Sequence, residues 1–293
     1  MNNMVANVIS PETFDDLLRT IDEYKNTEYR FGAGYTDLLV ELKKQPNEKL
    51  LVINLAQLNN KQFTTIKERD NRIRIGALVT ASEIISNETI KKQFPVLNEA
   101  AMKHASRQIR QVATVGGNIC TASPAGDIAC ALVALKSECE IVSSSGGSRV
   151  IPIDKIFVGV RKTDLKNNEV LRCITIPIKK ECENAHSGFT KVGTRHSMEC
   201  AIVSLAYHIQ SDKNNKITNA GIAIGSAAPT IKFVKTACDF LTGKEFTAIS
   251  KSEAEEFAGK VLEYANPISD IRASAWYRKE VLFNISKSIF DVK

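Results

Sequence analysis

Arg110-Gln111-Val112-Ala113-Thr114-Val115-Gly116-Gly117-Asn118-Ile119 is the stretch from which the rest of the chain can be read. Adjacent glycines let a backbone approach another group closely, and the flanking Thr and Asn side chains can donate to phosphate oxygens. Taken alone, the segment is equally well an ordinary turn. Working outward, Gly32-Ala33-Gly34-Tyr35-Thr36-Asp37 lies between the strand-like Tyr29-Arg30-Phe31 and the apolar Leu38-Leu39-Val40. It approaches the pattern G-x-G-x-x-G, in which a backbone closes on a pyrophosphate, but Asp37 replaces the last glycine. By itself it too reads as a tight strand-to-helix turn.

Together the loops say more. Each ends a short α/β unit and each is expected to offer backbone N–H groups. Neither is followed by the lysine of G-x-x-x-x-G-K-[ST], which disfavours an ATPase. A pyrophosphate held between two glycine loops, with neutral donors and no metal, suits a dinucleotide such as FAD.

The remaining pattern predicts an α+β chain. Ser10-Pro11-Glu12-Thr13 ahead of Phe14, Leu17, Leu18 and Ile21 predicts a helix over 11–24 with proline in its first turn. The continuous apolar run 50–55 predicts a buried strand, and 62–76 a strand-like alternation. Helices are expected over 80–90, capped by Thr80 or Ser82, over 96–105 and over 127–135. Strands follow over 138–142, 150–153 and 169–177. The polar run Lys179-Lys180-Glu181-Cys182-Glu183-Asn184 marks a boundary. Beyond it, strands at 188–191, 201–210 and 217–224, with a hairpin turn at 212–215, precede helices at 231–241, 252–265 and 274–290. The expected architecture is therefore a two-part nucleotide-binding domain, a small α/β unit (1–57) and a larger mixed α/β unit (58–178), followed by a C-terminal domain (179–293) with a small antiparallel sheet under a helical layer.

Composition agrees with a folded protein and narrows the class. The 293 residues are 43% hydrophobic and 25% charged, which excludes a disordered or fibrous chain. The net charge of +6, from 39 basic and 33 acidic residues, is spread without a Lys/Arg run and does not indicate nucleic acid. Met1-Asn2-Asn3-Met4 has neither a basic nor an apolar leader, and no apolar stretch is long enough for a membrane span. Seven cysteines, Cys120, Cys130, Cys139, Cys173, Cys182, Cys200 and Cys238, form no C-x-x-C pair. A cytoplasmic chain with reduced thiols, and without a zinc site or iron–sulfur cluster of its own, is expected.

The segments 33–39, 110–119 and Thr121-Ala122-Ser123-Pro124-Ala125-Gly126-Asp127 resemble the FAD-binding (medium) subunit of the xanthine dehydrogenase and carbon monoxide dehydrogenase family of molybdenum hydroxylases. Gly159-Val160-Arg161-Lys162-Thr163, Glu169-Val170-Leu171 and Ser269-Asp270-Ile271-Arg272-Ala273-Ser274-Ala275-Trp276-Tyr277-Arg278 follow in the family's order. The resemblance implies a first FAD loop of Phe31, Gly32, Ala33, Gly34, Tyr35, Thr36, Asp37 and Leu38, whose amides face the pyrophosphate. Thr114, Gly116, Gly117, Asn118 and Thr121 would belong to the second loop. Asp127 would accept from the adenosine ribose or from the loop that holds it. Val170 and Leu171 would pack on the flavin or adenine, and Lys191 would sit by the ring system. His104 occupies a place that borders the cofactor in relatives, or is an exposed helix-end histidine.

The family's first loop usually reads A-G-G-T-D, so Tyr35 stands where a glycine is common. Either that position has ordinary backbone angles or the loop is rearranged; covering the pyrophosphate with its ring is a further alternative. The resemblance further implies a molybdopterin-binding large subunit and a small subunit with two [2Fe-2S] clusters as partners, FAD as the cofactor and NAD⁺ as electron acceptor. A xanthine or purine dehydrogenase is expected; nicotinate, another N-heterocycle and CO are the alternatives. Rival readings are a self-contained flavin oxidase and a basic adaptor with structural glycine turns.

Overall fold

The computed structural model describes residues 7–47, 49–179, 184–195 and 198–290. The residues before 7 and most of the polar run 179–184, with Cys182, lie outside the described residues. Strands β1 (Asn7–Ile9), β2 (Tyr29–Gly32) and β3 (Leu51–Asn54) form a parallel sheet in the order β1-β3-β2. Parallel neighbours need crossovers, and the helices Phe14–Tyr24 and Leu38–Lys44 supply them. The first helix starts later than Pro11 predicts, because the Thr13 hydroxyl accepts from the Asp16 amide and is the cap.

The second sheet runs β4 (Ile66–Arg69), β5 (Arg72–Gly76), β10, β6 (Glu138–Ser143) and β7 (Ser148–Pro152), all antiparallel, with β8 (Phe157–Gly159) and β9 (Lys162–Thr163) forming a hairpin before β10 (Glu169–Pro177). The front of the alternating stretch 62–76 is not strand. Asn60 caps a helical turn, Lys61–Thr64, that drives Phe63 into the core with no exposed surface. The helix expected over 80–90 is broken at Asn87. Thr80 and Glu83 form a reciprocal cap on Ala81–Ser86, and Asn87 then caps Glu88–Gln93.

The third sheet is β11 (Asn184–Val192), β12 (Val203–Ser211), β13 (Ile217–Gly225) and β14 (Lys232–Phe233), antiparallel in sequence order. The helix expected from 231 begins only at Lys235, because Lys232 and Phe233 pair with Ile224 and Ala223. Period-two alternation gives this sheet two different faces. Leu205, Ile209, Ile222 and Ile224 meet the helices Lys235–Leu241, Lys251–Leu262 and Ala275–Lys287. Ala206 and Ala223 belong instead to the core built around the helix Asp127–Ala134.

All eight residues of that helix are buried. A helix with no solvent face must be packed closely on every side, and here the stripe Gly221, Ala223 and Gly225 of β13 admits it. A Cβ at Gly221 would fall on the Ala134 carbonyl oxygen, well inside contact distance. Gly221→Ala is expected to destabilise the protein by about 1–3 kcal/mol through overpacking against backbone that cannot rotate away. Chemical denaturation checks this; an unchanged midpoint would show that the sheet and helix are free to separate.

Candidate functional site

A cleft opens where the C-terminal end of β2 and the start of the helix Leu38–Lys44 face the loop 112–121 and the beginning of β10. Phe31, Ala33, Gly34, Tyr35, Thr36, Asp37 and Leu38 line it from one side. Thr114, Gly116, Gly117, Asn118 and Thr121 line it from the other, with Val170 and Leu171 in the wall. These are the residues that the two glycine loops and the strand 169–177 mark in the sequence. His104 lines the same cleft, so it is not simply an exposed helix-end residue.

The two loops contribute differently. Among the described residues, no amide N–H of residues 33–38 is donated to a protein acceptor. Successive backbone amides left uncommitted in this way are the kind of group that binds anions. The second glycine segment is the opposite of what its glycines lead one to expect, since it is not an open turn but the helix Val115–Cys120 with Thr114 as its cap. Its amides are consumed internally: Val115 donates to Val79 O at 2.9 Å, Gly116 to Ala77 O at 2.7 Å, Gly117 to Thr114 Oγ1 at 3.0 Å and Asn118 to Thr114 O at 3.0 Å. What it offers the cleft is side-chain chemistry. The Thr114 hydroxyl keeps its proton to donate, and Asn118 Oδ1 accepts from Ala129 N at 3.0 Å, leaving its NH₂ free to donate.

Close approach explains the glycines. A Cβ on Gly34 would fall on the Val112 carbonyl, and one on Gly116 would lie 2.7 Å from both Ala77 Cβ and Ala77 O. Tyr35 does take the left-handed conformation, at φ 59°, so of the alternatives for this position ordinary angles are excluded. Its ring folds back across Gly32, which has no side chain to obstruct it, and packs with Leu38, Leu42, Leu50 and Val52. Gly32 therefore lies behind the ring and is not part of the cleft lining.

Asp127 and Lys191 also stand behind the cleft and not in its lining. Lys191 Nζ donates to Asp127 Oδ2 at 2.7 Å and to Lys103 O at 3.1 Å, and both side chains are 4% exposed. The carboxylate is thus answered by a cation from β11, because a lone charge in this interior would be too costly. His104 Nδ1 lies 3.6 Å from the same Asp127 Oδ2, and Asp127 Oδ1 is buried with no partner.

Pattern reading missed one wall: Leu165, Lys166 and Asn167, with Glu169 at its base. Arg149 clasps this loop. Its Nε and Nη2 each donate to Glu169 at 2.8 Å, and Nη1 and Nη2 reach Asp164 at 2.7 and 2.8 Å. From the front, the Tyr29 hydroxyl, pushed up to about 12 by burial, donates to Asn167 O. The available signal was Glu169, an acid opening a largely buried strand, which needs a cation partner.

The hydrogen bonds from Arg149 hold the Glu169 carboxyl below its ordinary 4.5. A depressed carboxylate stabilises the fold above its unfolded value, and that stabilisation is lost as pH falls through the lowered one. Arg149→Met should therefore destabilise at neutral pH and flatten the acid limb of Tm against pH, as thermal melts across that range would show. Gly34→Ala should force the loops apart at Val112 and cost about 1–3 kcal/mol, with loss of ligand retention in the cleft. An alanine variant that melts and binds like the parent would refute the close seam.

Comparison with known proteins agrees with the architecture. A family model described as the FAD binding domain in molybdopterin dehydrogenase matches residues 3–179, and one described as the CO dehydrogenase flavoprotein C-terminal domain matches residues 189–291. The glyceraldehyde dehydrogenase medium chain of Sulfolobus acidocaldarius is 28% identical over 282 residues, 96% of each chain. The nicotine 6-hydroxylase medium subunit of Paenarthrobacter nicotinovorans is 30% identical over 273 residues, 93% of this chain and 90% of the relative. In fold, the chain is similar to a chain of the carbon monoxide dehydrogenase of Hydrogenophaga pseudoflava, with a TM-score of 0.88 at 22% identity over 98% and 96% of the two chains. With a match across the whole two-loop domain and the C-terminal domain behind it, this chain belongs to the FAD-binding family of the molybdopterin dehydrogenases, the molybdenum hydroxylases.

Proposed function

We propose that this chain is the electron-transfer subunit of a three-component molybdenum hydroxylase, holding FAD in the cleft between its two glycine loops. The observation that carries the reading is the uncommitted run of amides at residues 33–38 facing Thr114 and Asn118 across the cleft. Neutral donors of that number suit a pyrophosphate, and the apolar wall of Val170 and Leu171 suits a planar ring. In this reading Phe31, Gly32, Ala33, Gly34, Tyr35, Thr36, Asp37 and Leu38 form or support the first loop, and Thr114, Gly116, Gly117, Asn118 and Thr121 the second. Asp127 and Lys191 set the electrostatics from behind. The three-part division 1–57, 58–178 and 179–293 belongs to the same proposal.

Bound there, FAD supplies the interconversion of single electrons and hydride, which is the cofactor's own chemistry. The chain positions the rings, excludes water with Val170 and Leu171, and supplies hydrogen bonds that replace solvation of the phosphates. Two partners complete the assembly: a subunit with two [2Fe-2S] clusters that delivers electrons and a molybdopterin-binding subunit that oxidises the substrate. NAD⁺ is the proposed acceptor, xanthine or another purine the proposed substrate, and the cytoplasm the proposed compartment. Relatives named for nicotine, nicotinate and glyceraldehyde oxidation keep the substrate a property of the molybdenum partner in this reading. No helix among the described residues is long and apolar enough to cross a membrane.

Expression with its neighbouring coding sequences, followed by purification through a tag on this chain, tests the proposal. The expected product is yellow-brown, releases stoichiometric FAD on denaturation, contains iron and molybdenum, and reduces NAD⁺ with a purine. Flavin without metal subunits would leave a free-standing flavoprotein, and colourless protein would overturn the site.

A further inference from the structure

We infer that the cationic face of the hairpin formed by β4 and β5 is a docking surface for an acidic face of a partner subunit. The inference rests on the reading of this chain as one component of an assembly. None of the residues 66–74 that form the hairpin lines the flavin cleft.

The hairpin pairs like with like. Its register sets Lys67 opposite Arg74 and Arg69 opposite Arg72. Directly opposite residues of an antiparallel pair share a face, and like charges in that position destabilise the sheet. Ile73 and Ile75 are buried on the other face, so all four cations point away from the core. The strands cannot slip to relieve the repulsion. Asp70 and Asn71 are both left-handed, at φ 53° and 55°, as a two-residue hairpin turn of this kind requires, and Asn71 O accepts from Ile178 N at 2.8 Å.

Protection of the sheet edge does not account for this arrangement. β4 is an edge strand, and charged side chains there keep other strands from pairing with it. One row of charge is enough for that, and acids on β5 would add ion pairs with no loss of protection.

The acids within reach are already taken. Across β10, Arg72 pairs with Glu138, and Glu140 is shared between Arg74, at 2.9 Å, and Arg172. Glu140 also accepts from Cys173 Sγ at 3.0 Å, while Nε of Arg74 and Nε of Arg172 are buried with no acceptor. Arg69 has Asp70 of the turn at 3.1 Å, and Lys67 is left without an acid among the described residues. The face is therefore short of negative charge, and its outer cations are open: the Arg69 side chain is 86% exposed and that of Arg72 50%.

The make-up of the patch selects a protein as its occupant. Glu138, Glu140 and Asp70 stand among the cations and repel a continuous polyanion such as nucleic acid or an anionic membrane. No aromatic residue occurs in the five paired strands to stack on a base. Further across the same face lie Val150, 58% exposed, and Pro152, which pair with Glu140 and Glu138. An apolar island beside a charged border is the composition of a protein interface. A second copy of this chain does not fit, because a two-fold contact would set the cations on one another. What complements the patch is a subunit surface with exposed Asp or Glu side chains beside an apolar centre.

The double substitution Lys67→Glu with Arg69→Glu tests this in the enzyme co-expressed with its neighbouring coding sequences and purified through a tag on this chain. It turns two like-charge pairs into ion pairs with Arg74 and Arg72, so the full chain expressed alone should melt at the parent temperature or above it. Assembly should move the other way. In sedimentation on dilution, the dissociation constant of the complex should rise roughly tenfold at low salt, and its dependence on NaCl should become shallower. An unchanged dissociation constant with an unchanged salt dependence overturns the inference. A variant that loses stability and assembly together shows the cations to be structural and also overturns it. A parent chain that purifies without any partner overturns the subunit reading instead, and the docking surface falls with it. Should the reversed variant fail to fold, Lys67→Met with Arg69→Met, expected to weaken assembly less but in the same direction, decides.

Discussion

The structure depends on a carboxylate that has nowhere to go. Asp127 begins a helix whose eight residues are all buried, so its charge has to be answered from within. The answer comes from Lys191, on a strand of the C-terminal sheet. Removing one partner of a buried, hydrogen-bonded pair typically costs about 3–5 kcal/mol, because the remaining charge is left uncompensated. The pair therefore acts across the joint between the nucleotide-binding part of the chain and the sheet that follows it. The same joint is lined by Gly221, Ala223 and Gly225 of β13, which bring that sheet within backbone contact of the helix. The joint behind the cleft is consequently shared by both parts of the chain, while the lining itself comes from residues 29–171.

That rigidity allows the two glycine loops to divide their work. The Thr114 loop spends its own amides on Val79, Ala77 and Thr114 itself, which locks it onto the body of the domain. Fixed in this way, it becomes the surface against which Gly34 is pressed at the Val112 carbonyl. The first loop leaves its amides over residues 33–38 undonated among the described residues and can do so because its neighbour holds it. Backbone held in place before a ligand arrives leaves less ordering to oppose binding.

Much of this was legible in the sequence, and the departures have identifiable causes. Apolar runs and alternation placed strands at 50–55, 169–177, 201–210 and 217–224 and an apolar helix at 127–135, close to the observed 51–54, 169–177, 203–211, 217–225 and 127–134. Errors fell where a single polar side chain overrides the pattern: Thr13 and Asn87 as caps, Asn60 starting a helical turn inside an apparently alternating stretch. The glycine loops announced the cleft, but not which loop keeps its amides free, since that depends on Ala77 and Val79, far upstream in the chain of the residues they contact. Lys191 and Asp127 were identifiable as a pair only once β11 was placed beside the helix. The wall at 164–168 carried no motif, and the clasp that holds it through Glu169 is a contact between strands and not a local pattern.

Tyr35 shows why a departure from the family's usual loop need not disable it. A non-glycine residue at φ 59° costs about 1–2 kcal/mol relative to an ordinary conformation. Against that stands the ring, laid over Gly32 and packed with Leu38, Leu42, Leu50 and Val52. An aromatic side chain buries roughly 150 Å² or more, and at about 25 cal/mol per Å² even half of that area contributes about 2 kcal/mol. The strain and the burial are thus comparable, so the loop loses little by carrying tyrosine. It gains a bulky anchor that fixes the backbone between Gly34 and Thr36, where a glycine would leave the amides freer to reorient. The absent Cβ at Gly32 is what permits this exchange, which makes Gly32 and Tyr35 a coupled pair: a side chain at the first position would evict the ring at the second and leave the strain uncompensated.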